Sequence, residues 1–171
     1  MTAVLTCVRG DLLAQADCDA IVNAANSALA PGGGVCGRIH DAAGPQLAEY
    51  CATLGGVMVG DAIATPGFAL PHKWVIHACG PRYGSDHPEA ELLASAYCAA
   101  LRVAESKAVA KIAFPAISTG IYGYPLQEAA EVAIAAIRAE LPKLKSTSEV
   151  RLVLYDAVAY QVFRDVLQDL F

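Results

Sequence analysis

Apolar and polar positions alternate along the chain between two textures. Short, nearly unbroken apolar runs predict strands at Thr2–Val8, Cys18–Val22, Ala62–Thr65, Trp74–Cys79, Lys111–Phe114 and Val150–Tyr155. Longer segments carry apolar residues at helical spacing, and they predict helices over Val35–Ala43, Gln46–Leu54, Pro88–Lys107, Leu126–Leu141 and Val158–Leu170. In the longest of these, Leu92, Leu93, Ala96, Ala99, Ala100 and Val103 recur on one face. Gly10-Asp11 closes the first strand, and Gly44-Pro45 separates the first two helices. Strands that are apolar on both faces and alternate with helices predict an α/β fold with a mostly parallel sheet covered on both sides. No linker, repeat or low-complexity segment divides the chain, so residues 1–171 read as one domain. Ligands of such sheets sit at the carboxyl ends of the strands.

Two of those ends carry loops built for close approach. The run Ala20-Ile21-Val22 stops at Asn23-Ala24-Ala25-Asn26-Ser27, and Gly32-Gly33-Gly34-Val35-Cys36-Gly37 then opens a helix. Consecutive glycines let backbone N–H groups face a ligand, and the helix N-terminus behind them favours anions. Taken alone, the glycines fit a Gly-rich turn with Asn caps equally well. The pattern recurs, however. Phe114-Pro115-Ala116-Ile117 ends at Ser118-Thr119-Gly120-Ile121-Tyr122-Gly123-Tyr124-Pro125, and another helical pattern starts at Leu126. Two strand–loop–helix junctions on one sheet edge suit a diphosphate between two sugars.

Composition narrows the class. With 56% hydrophobic and 17% charged residues, the chain can bury a sizeable core. A net charge of −5 argues against a nucleic-acid partner, because such affinity rests largely on Lys and Arg. Mean hydropathy is +0.42, yet the uncharged stretch Ala20–Gly37 carries Asn23, Asn26, Pro31 and four glycines. It therefore predicts no membrane span. The start, Met1-Thr2-Ala3-Val4-Leu5, lacks a basic region before its apolar part, so no signal peptide and a cytoplasmic location are expected. Cys7, Cys18, Cys36, Cys51, Cys79 and Cys98 form no C-x-x-C pair and fit neither a zinc site nor a disulfide scaffold. No metal is expected, and no partner suggests itself for His72, His77 or His87.

In order along the chain come Gly10-Asp11-Leu12, Asp19–Ser27, Gly32-Gly33-Gly34-Val35 with Gly37, Ile39-His40, Ala42–Pro45, Val75-Ile76-His77 with Gly80-Pro81, and Pro115–Pro125. In these blocks and their spacing the sequence resembles the macrodomains, and among them the MacroD-type ADP-ribose-binding hydrolases. The resemblance implies a three-layer α/β/α fold with a mostly parallel mixed central sheet, and ADP-ribose as ligand with no further cofactor. It implies that Asp11, with Leu12 beside it, accepts a hydrogen bond from the adenine amine and that Tyr155 stacks on the ring. The diphosphate would lie between Gly32, Gly33, Gly34 and Val35 on one side and Ser118, Thr119, Gly120, Ile121 and Tyr122 on the other. Asn26 would bind the distal ribose or position water. Asn23 reads instead as a buried Asn holding its loop through backbone bonds.

Position 36 departs from the family. Members with hydrolase activity usually have Asp there, ten positions after Asn26, where it orients or activates water. A Cys thiol is mostly neutral at pH 7 unless its surroundings lower its pKa. His40 is on the same helix face, so a nucleophilic Cys36–His40 pair is one reading and a structural His the other. Catalysis is therefore assigned to Asn26 and Cys36. Two functions follow from the resemblance. One is hydrolysis of carboxylate esters of the distal ribose, on ADP-ribosylated Asp or Glu of proteins or in O-acetyl-ADP-ribose. The other is an ADP-ribose reader with little chemistry, which Cys36 supports. An unrelated nucleotide-phosphate enzyme would explain the two loops but not the ordered match.

Overall fold

The computed structural model describes residues 2–170; Met1 and Phe171, the two ends of the expected 1–171 domain, lie outside the described residues. Six strands run β1 (Val4–Arg9), β2 (Ala20–Ala24), β3 (Ala62–Pro66), β4 (Trp74–Ala78), β5 (Lys111–Phe114) and β6 (Glu149–Leu154). Five helices run α1 (Gly34–Ala43), α2 (Pro45–Ala52), α3 (Glu89–Ser106), α4 (Leu126–Glu140) and α5 (Ala157–Asp169). The sheet order is β1-β6-β5-β2-β4-β3, parallel throughout except for the antiparallel edge strand β3. Every element expected from the pattern is present, with ends displaced by at most two residues.

Strand periodicity splits the core in two, because neighbouring side chains leave opposite faces. Ala20, Val22, Ile76, Ile112, Phe114, Val150 and Leu152 pack under α3, α4 and α5, with Leu93, Ile134 and Phe163 among their partners. Ile21, Val75, Ala113 and Val153 face the other way, onto Ile39 and Ala43 of α1 and Leu47 and Cys51 of α2. Three layers, α/β/α, result. No helix among the described residues is long and apolar enough to cross a membrane.

One boundary matters for the site. The apolar pattern ends the second strand at Val22, but β2 continues through Asn23 and Ala24. Asn23 is in register with His77 on β4, and its Nδ2 lies 3.0 Å from His77 Nδ1. The neighbouring strand thus partners the Asn23 Nδ2, while its buried Oδ1 has no hydrogen-bond partner among the described residues. The carboxyl ends of β1, β2, β5 and β6 then open on one edge. The winding divides there, with β4 and β3 beyond β2 on one side and β6 and β1 beyond β5 on the other.

Candidate functional site

A cleft of about 670 Å³ lies along that edge. The carboxyl end of β2 supplies Asn26 and the loop into α1 supplies Gly32–Cys36; the β5–α4 loop supplies Pro115–Tyr122, and Tyr155 follows β6. Leu12 and Arg38 complete the wall. Of the residues assigned to catalysis or ligand binding from the sequence, only Asp11 is not part of the lining itself; it stands next to Leu12.

The middle of the cleft is walled by backbone. Helix α1 begins at Gly34, and the N–H groups of Gly34, Val35 and Cys36 in its first turn take no hydrogen-bond partner among the described residues. Those of Gly120, Ile121 and Tyr122 opposite are free in the same sense. Gly37 permits this entry to α1, since a Cβ there would meet the Gly32 carbonyl oxygen at 2.4 Å. The opposite loop is held in an unusual shape. Ser118 is buried with φ +69°, in the left-handed region that a non-glycine residue enters at a cost of about 1–3 kcal/mol. Tyr124 N–H closes that turn onto the Ser118 carbonyl at 2.9 Å, and Thr119 Oγ1 donates to the Ala116 carbonyl at 2.9 Å. Ile121 is 82% exposed and leans toward the glycine loop, where a Cβ on Gly33 would come within 3.1 Å of its Cδ1.

One end of the cleft is ionic and aromatic. Asp11 caps the short 3-10 turn Leu12–Ala14, accepting from Leu13 N–H at 3.0 Å. Its other oxygen receives Arg38 Nη2 at 2.5 Å. The Arg38 guanidinium holds the Asp11 carboxyl below the usual carboxylate range. Arg38 also sits 5.8 Å from the centre of the Tyr155 ring, and Tyr155 is 75% exposed. Sequence reasoning missed Arg38. On α1 it reads as an ordinary solvated cation, and nothing local signals that the fold carries it to Asp11, 27 positions away. A second support was equally hidden. Gln15 Nε2 donates to the Asp11 carbonyl at 2.9 Å, and Arg151 Nη1 donates to Gln15 Oε1 at 2.9 Å, so β6 steadies the Asp11 turn.

The other end is polar but neutral. Asn26 is clamped to Ala30, donating Nδ2 to its carbonyl at 2.8 Å and accepting its N–H at 3.0 Å. One amide proton and one lone-pair direction remain for a ligand. Cys36 is buried beside it: its thiol donates to the Ala30 carbonyl and its sulfur accepts from Asn23 Nδ2, each at 3.7 Å. Asn23 therefore corrects the expectation of backbone bonding, since it works through Cys36 and His77. The Cys36–His40 pair also fails to form. His40 is buried on the same helix, but neither ring nitrogen has a hydrogen-bond partner among the described residues.

The other histidines do have partners. His72 Nε2 lies 3.0 Å from the Gln15 carbonyl, and His87 Nδ1 lies 3.2 Å from Glu89. His77 sits between Asn23 and Thr65 Oγ1 at 2.9 Å, and burial pushes its pKa from 6.5 down to about 3. Thr65 gives its own hydrogen to the Pro66 carbonyl, so His77 is neutral, donating from Nε2 and accepting at Nδ1. Between pH 6.5 and 3 the unfolded state then binds the extra proton, and stability falls as pH falls. At about 1.4 kcal/mol per pH unit, His77 alone is expected to lower stability by about 2 kcal/mol between pH 7 and pH 5. Burial shifts His72 and His40 in the same direction. Urea unfolding at the two pH values checks this; equal stabilities would show that His77 is protonated in the folded protein.

Known proteins share this architecture. The family profile described as Macro domain matches residues 22–133. An O-acetyl-ADP-ribose deacetylase of Salmonella typhimurium is 44% identical over 172 residues, covering 98% of this chain and 96% of that protein. A macro domain-containing protein of Chlorobaculum tepidum is 47% identical over 150 residues, 87% of each chain. Among solved structures, the Oceanobacillus iheyensis macrodomain with ADP superposes with a TM-score of 0.93 at 38% identity, covering 99% of this chain and 92% of that one. The Trypanosoma brucei macrodomain in complex with ADP-ribose gives a TM-score of 0.85 at 34% identity, covering 94% of this chain and 68% of that one. A family profile spanning most of the chain, relatives aligned nearly end to end and the same three layers place this protein in the macrodomain family.

Proposed function

We propose that the cleft binds ADP-ribose and that the protein hydrolyses carboxylate esters of its distal ribose, on ADP-ribosylated Asp or Glu side chains of proteins or in O-acetyl-ADP-ribose. The observation that carries the reading is the pair of facing loops whose free N–H groups converge on the cleft between an aromatic end and an amide end. Backbone N–H groups and a helix N-terminus hold a diphosphate without net positive charge, which suits a chain of net charge −5. Tyr155, Asp11 and Arg38 suit adenine; Asn26 suits the distal ribose. The Salmonella relative bears the corresponding activity in its name.

The chemistry asks little of the protein. At an Asp or Glu ester water bonds to the anomeric ribose carbon, the bond from that carbon to the carboxylate oxygen breaks, the carboxylate departs as a stable anion and one proton is released to solvent. In O-acetyl-ADP-ribose water bonds to the acyl carbon, the bond to the ribose oxygen breaks, that oxygen takes up a proton, and acetate and one proton are released. A carboxylate leaves readily, so no strong acid is required. Asn26 orients the ribose and the water, and the ligand's own phosphate helps hold that water. Cys36 supplies no carboxylate base, a loss that typically costs about 10²–10⁴-fold. Turnover is accordingly slow but real. The reader alternative draws on the same position, where a thiol stands and no carboxylate. Incubation with a glutamate-ADP-ribosylated protein, scoring free ADP-ribose, separates the two.

Asp11 provides a test of the ligand's orientation. Asp11→Ala is expected to weaken ADP-ribose binding by about 1–3 kcal/mol, the scale of a hydrogen bond to a charged group. The Arg38–Asp11 ion pair is about half exposed, so its loss costs the fold little. Calorimetry reads the affinity and thermal melting reads the fold. Unchanged affinity would reduce Asp11 to a turn residue.

A further inference from the structure

A second pocket of about 350 Å³ opens beside the cleft and shares Asn26, Gly80 and Tyr122 with it. Its position is therefore at the amide end, past the place where the proposed reaction occurs. It is too large for an acetyl group alone. At ~30 Å³ per water-sized group it has room for about ten or so, against roughly three heavy-atom groups in an acetyl ester.

One cation serves this pocket, and it is held in place. Arg82 N–H and Nε donate to Asp86 Oδ2 at 2.8 and 3.0 Å, and Nη2 donates to Oδ1 at 3.1 Å. Nη1 makes no hydrogen bond among the described residues. Asp86 also lines the pocket, so the cation enters it as half of an ion pair, and the rest of the lining is uncharged. Burial pushes the Cys79 thiol up to about 11 and raises the Tyr122 phenol, so both stay protonated. Arg82 in turn holds the Asp86 carboxyl down to about 2, which keeps that ion pair intact at any ordinary pH. The wall is tied to the β5–α4 loop, since Tyr83 N–H donates to the Tyr122 carbonyl at 2.8 Å and the Tyr83 ring packs on Tyr124 at 4.9 Å.

We propose that this pocket is the acceptor subsite, which receives the Asp or Glu side chain leaving the distal ribose together with its adjoining peptide, and that Arg82 is its specificity-determining residue. This rests on the hydrolase reading above. A peptidyl carboxylate gains its negative charge as the ester bond breaks, and a cation fixed beforehand stabilises that charge more than the neutral ester. An acetyl ester also ends in a carboxylate, but acetate leaves most of the pocket unfilled. The structure thus favours peptidyl esters over O-acetyl-ADP-ribose. Arg82 is 61% exposed at the side chain, so solvent screens its charge and sets its effect on specificity at the few-fold scale.

The test compares wild type with Arg82→Ala and Val59→Trp, the second narrowing the pocket from its rim. Each is assayed with a glutamate-ADP-ribosylated peptide and with O-acetyl-ADP-ribose, and calorimetry gives the affinity for free ADP-ribose. Both variants are expected to bind ADP-ribose within about two-fold of wild type. Arg82→Ala should lower the peptide-to-acetyl ratio of kcat/KM about five-fold, and Val59→Trp should lower it about ten-fold. A ratio unchanged in both variants overturns the proposal. If wild type hydrolyses neither ester, the hydrolase reading fails, and the subsite is read by binding instead. A peptide carrying ADP-ribose through an uncleavable linkage should then bind about five-fold more tightly than free ADP-ribose and lose that gain in Arg82→Ala. Equal affinities for peptide and free ligand overturn the subsite independently.

Discussion

Gly120→Glu is expected to weaken ADP-ribose binding more than about 100-fold while leaving the fold intact. The two halves of that expectation come from different observations. A Cβ at Gly120 would meet no atom within 4 Å, and its φ lies outside the left-handed region, so neither packing nor backbone requires glycine here. Gly120 lines the cleft, and its N–H is one of the free donors. A carboxylate placed there meets a diphosphate at contact distance. At about 4 Å and an effective dielectric constant near 20, each like-charge pair costs about 4 kcal/mol, more than the roughly 2.7 kcal/mol that corresponds to 100-fold. Calorimetry and circular dichroism read the two quantities. Normal binding by a folded variant would mean the diphosphate lies elsewhere.

Asn26→Ala should cut ester hydrolysis about 100-fold or more, the scale on which misplacing a reacting group acts. Cys36→Ala should leave the rate almost unchanged, because the thiol is buried and bonded to Ala30 and Asn23, with no base paired to it. Cys36→Asp should raise the rate by supplying a carboxylate beside Asn26. Asn26 also clamps Ala30, so its variant needs a melting curve and an ADP-ribose affinity beside the rate. A nucleophilic Cys36 predicts the opposite ranking, with Cys36→Ala inactive and alkylation blocking wild type. The result that sinks the hydrolase reading is wild-type protein that binds ADP-ribose tightly yet releases none from a glutamate ester over hours.

The parts of this site that were legible in the sequence share a cause. Gly32–Val35 and Ser118–Tyr122 each follow an apolar run and precede a helical pattern, and both signals are local. A chain that turns from strand to helix through small residues must bring its backbone to the sheet edge, whatever lies far off in sequence. The polar ends of the cleft obey no such rule. Asn23 reads as a loop residue bonded to nearby backbone, yet it lies within β2 and its Nδ2 meets His77, 54 positions on. Cys36 and His40 share a helix face, as spacing requires, yet Cys36 bonds to Ala30 and Asn23 and leaves His40 alone. Arg38 and Arg82 are ordinary surface cations until Asp11 and Asp86 fix their direction.

By itself, then, the sequence determined the alternation of strands and helices, the parallel sheet they imply and the two loops at its carboxyl edge. Hydrophobic periodicity and glycine placement act over a few residues and leave a readable trace. Only the tertiary structure decided that β2 lies between β5 and β4, which sets the two loops face to face with their N–H groups free. It alone joined Arg38 to Asp11 and Tyr155, and it alone set Arg82 in a pocket beside Asn26 and Tyr122. Those contacts depend on where the sheet carries side chains distant in sequence, and no local preference encodes that.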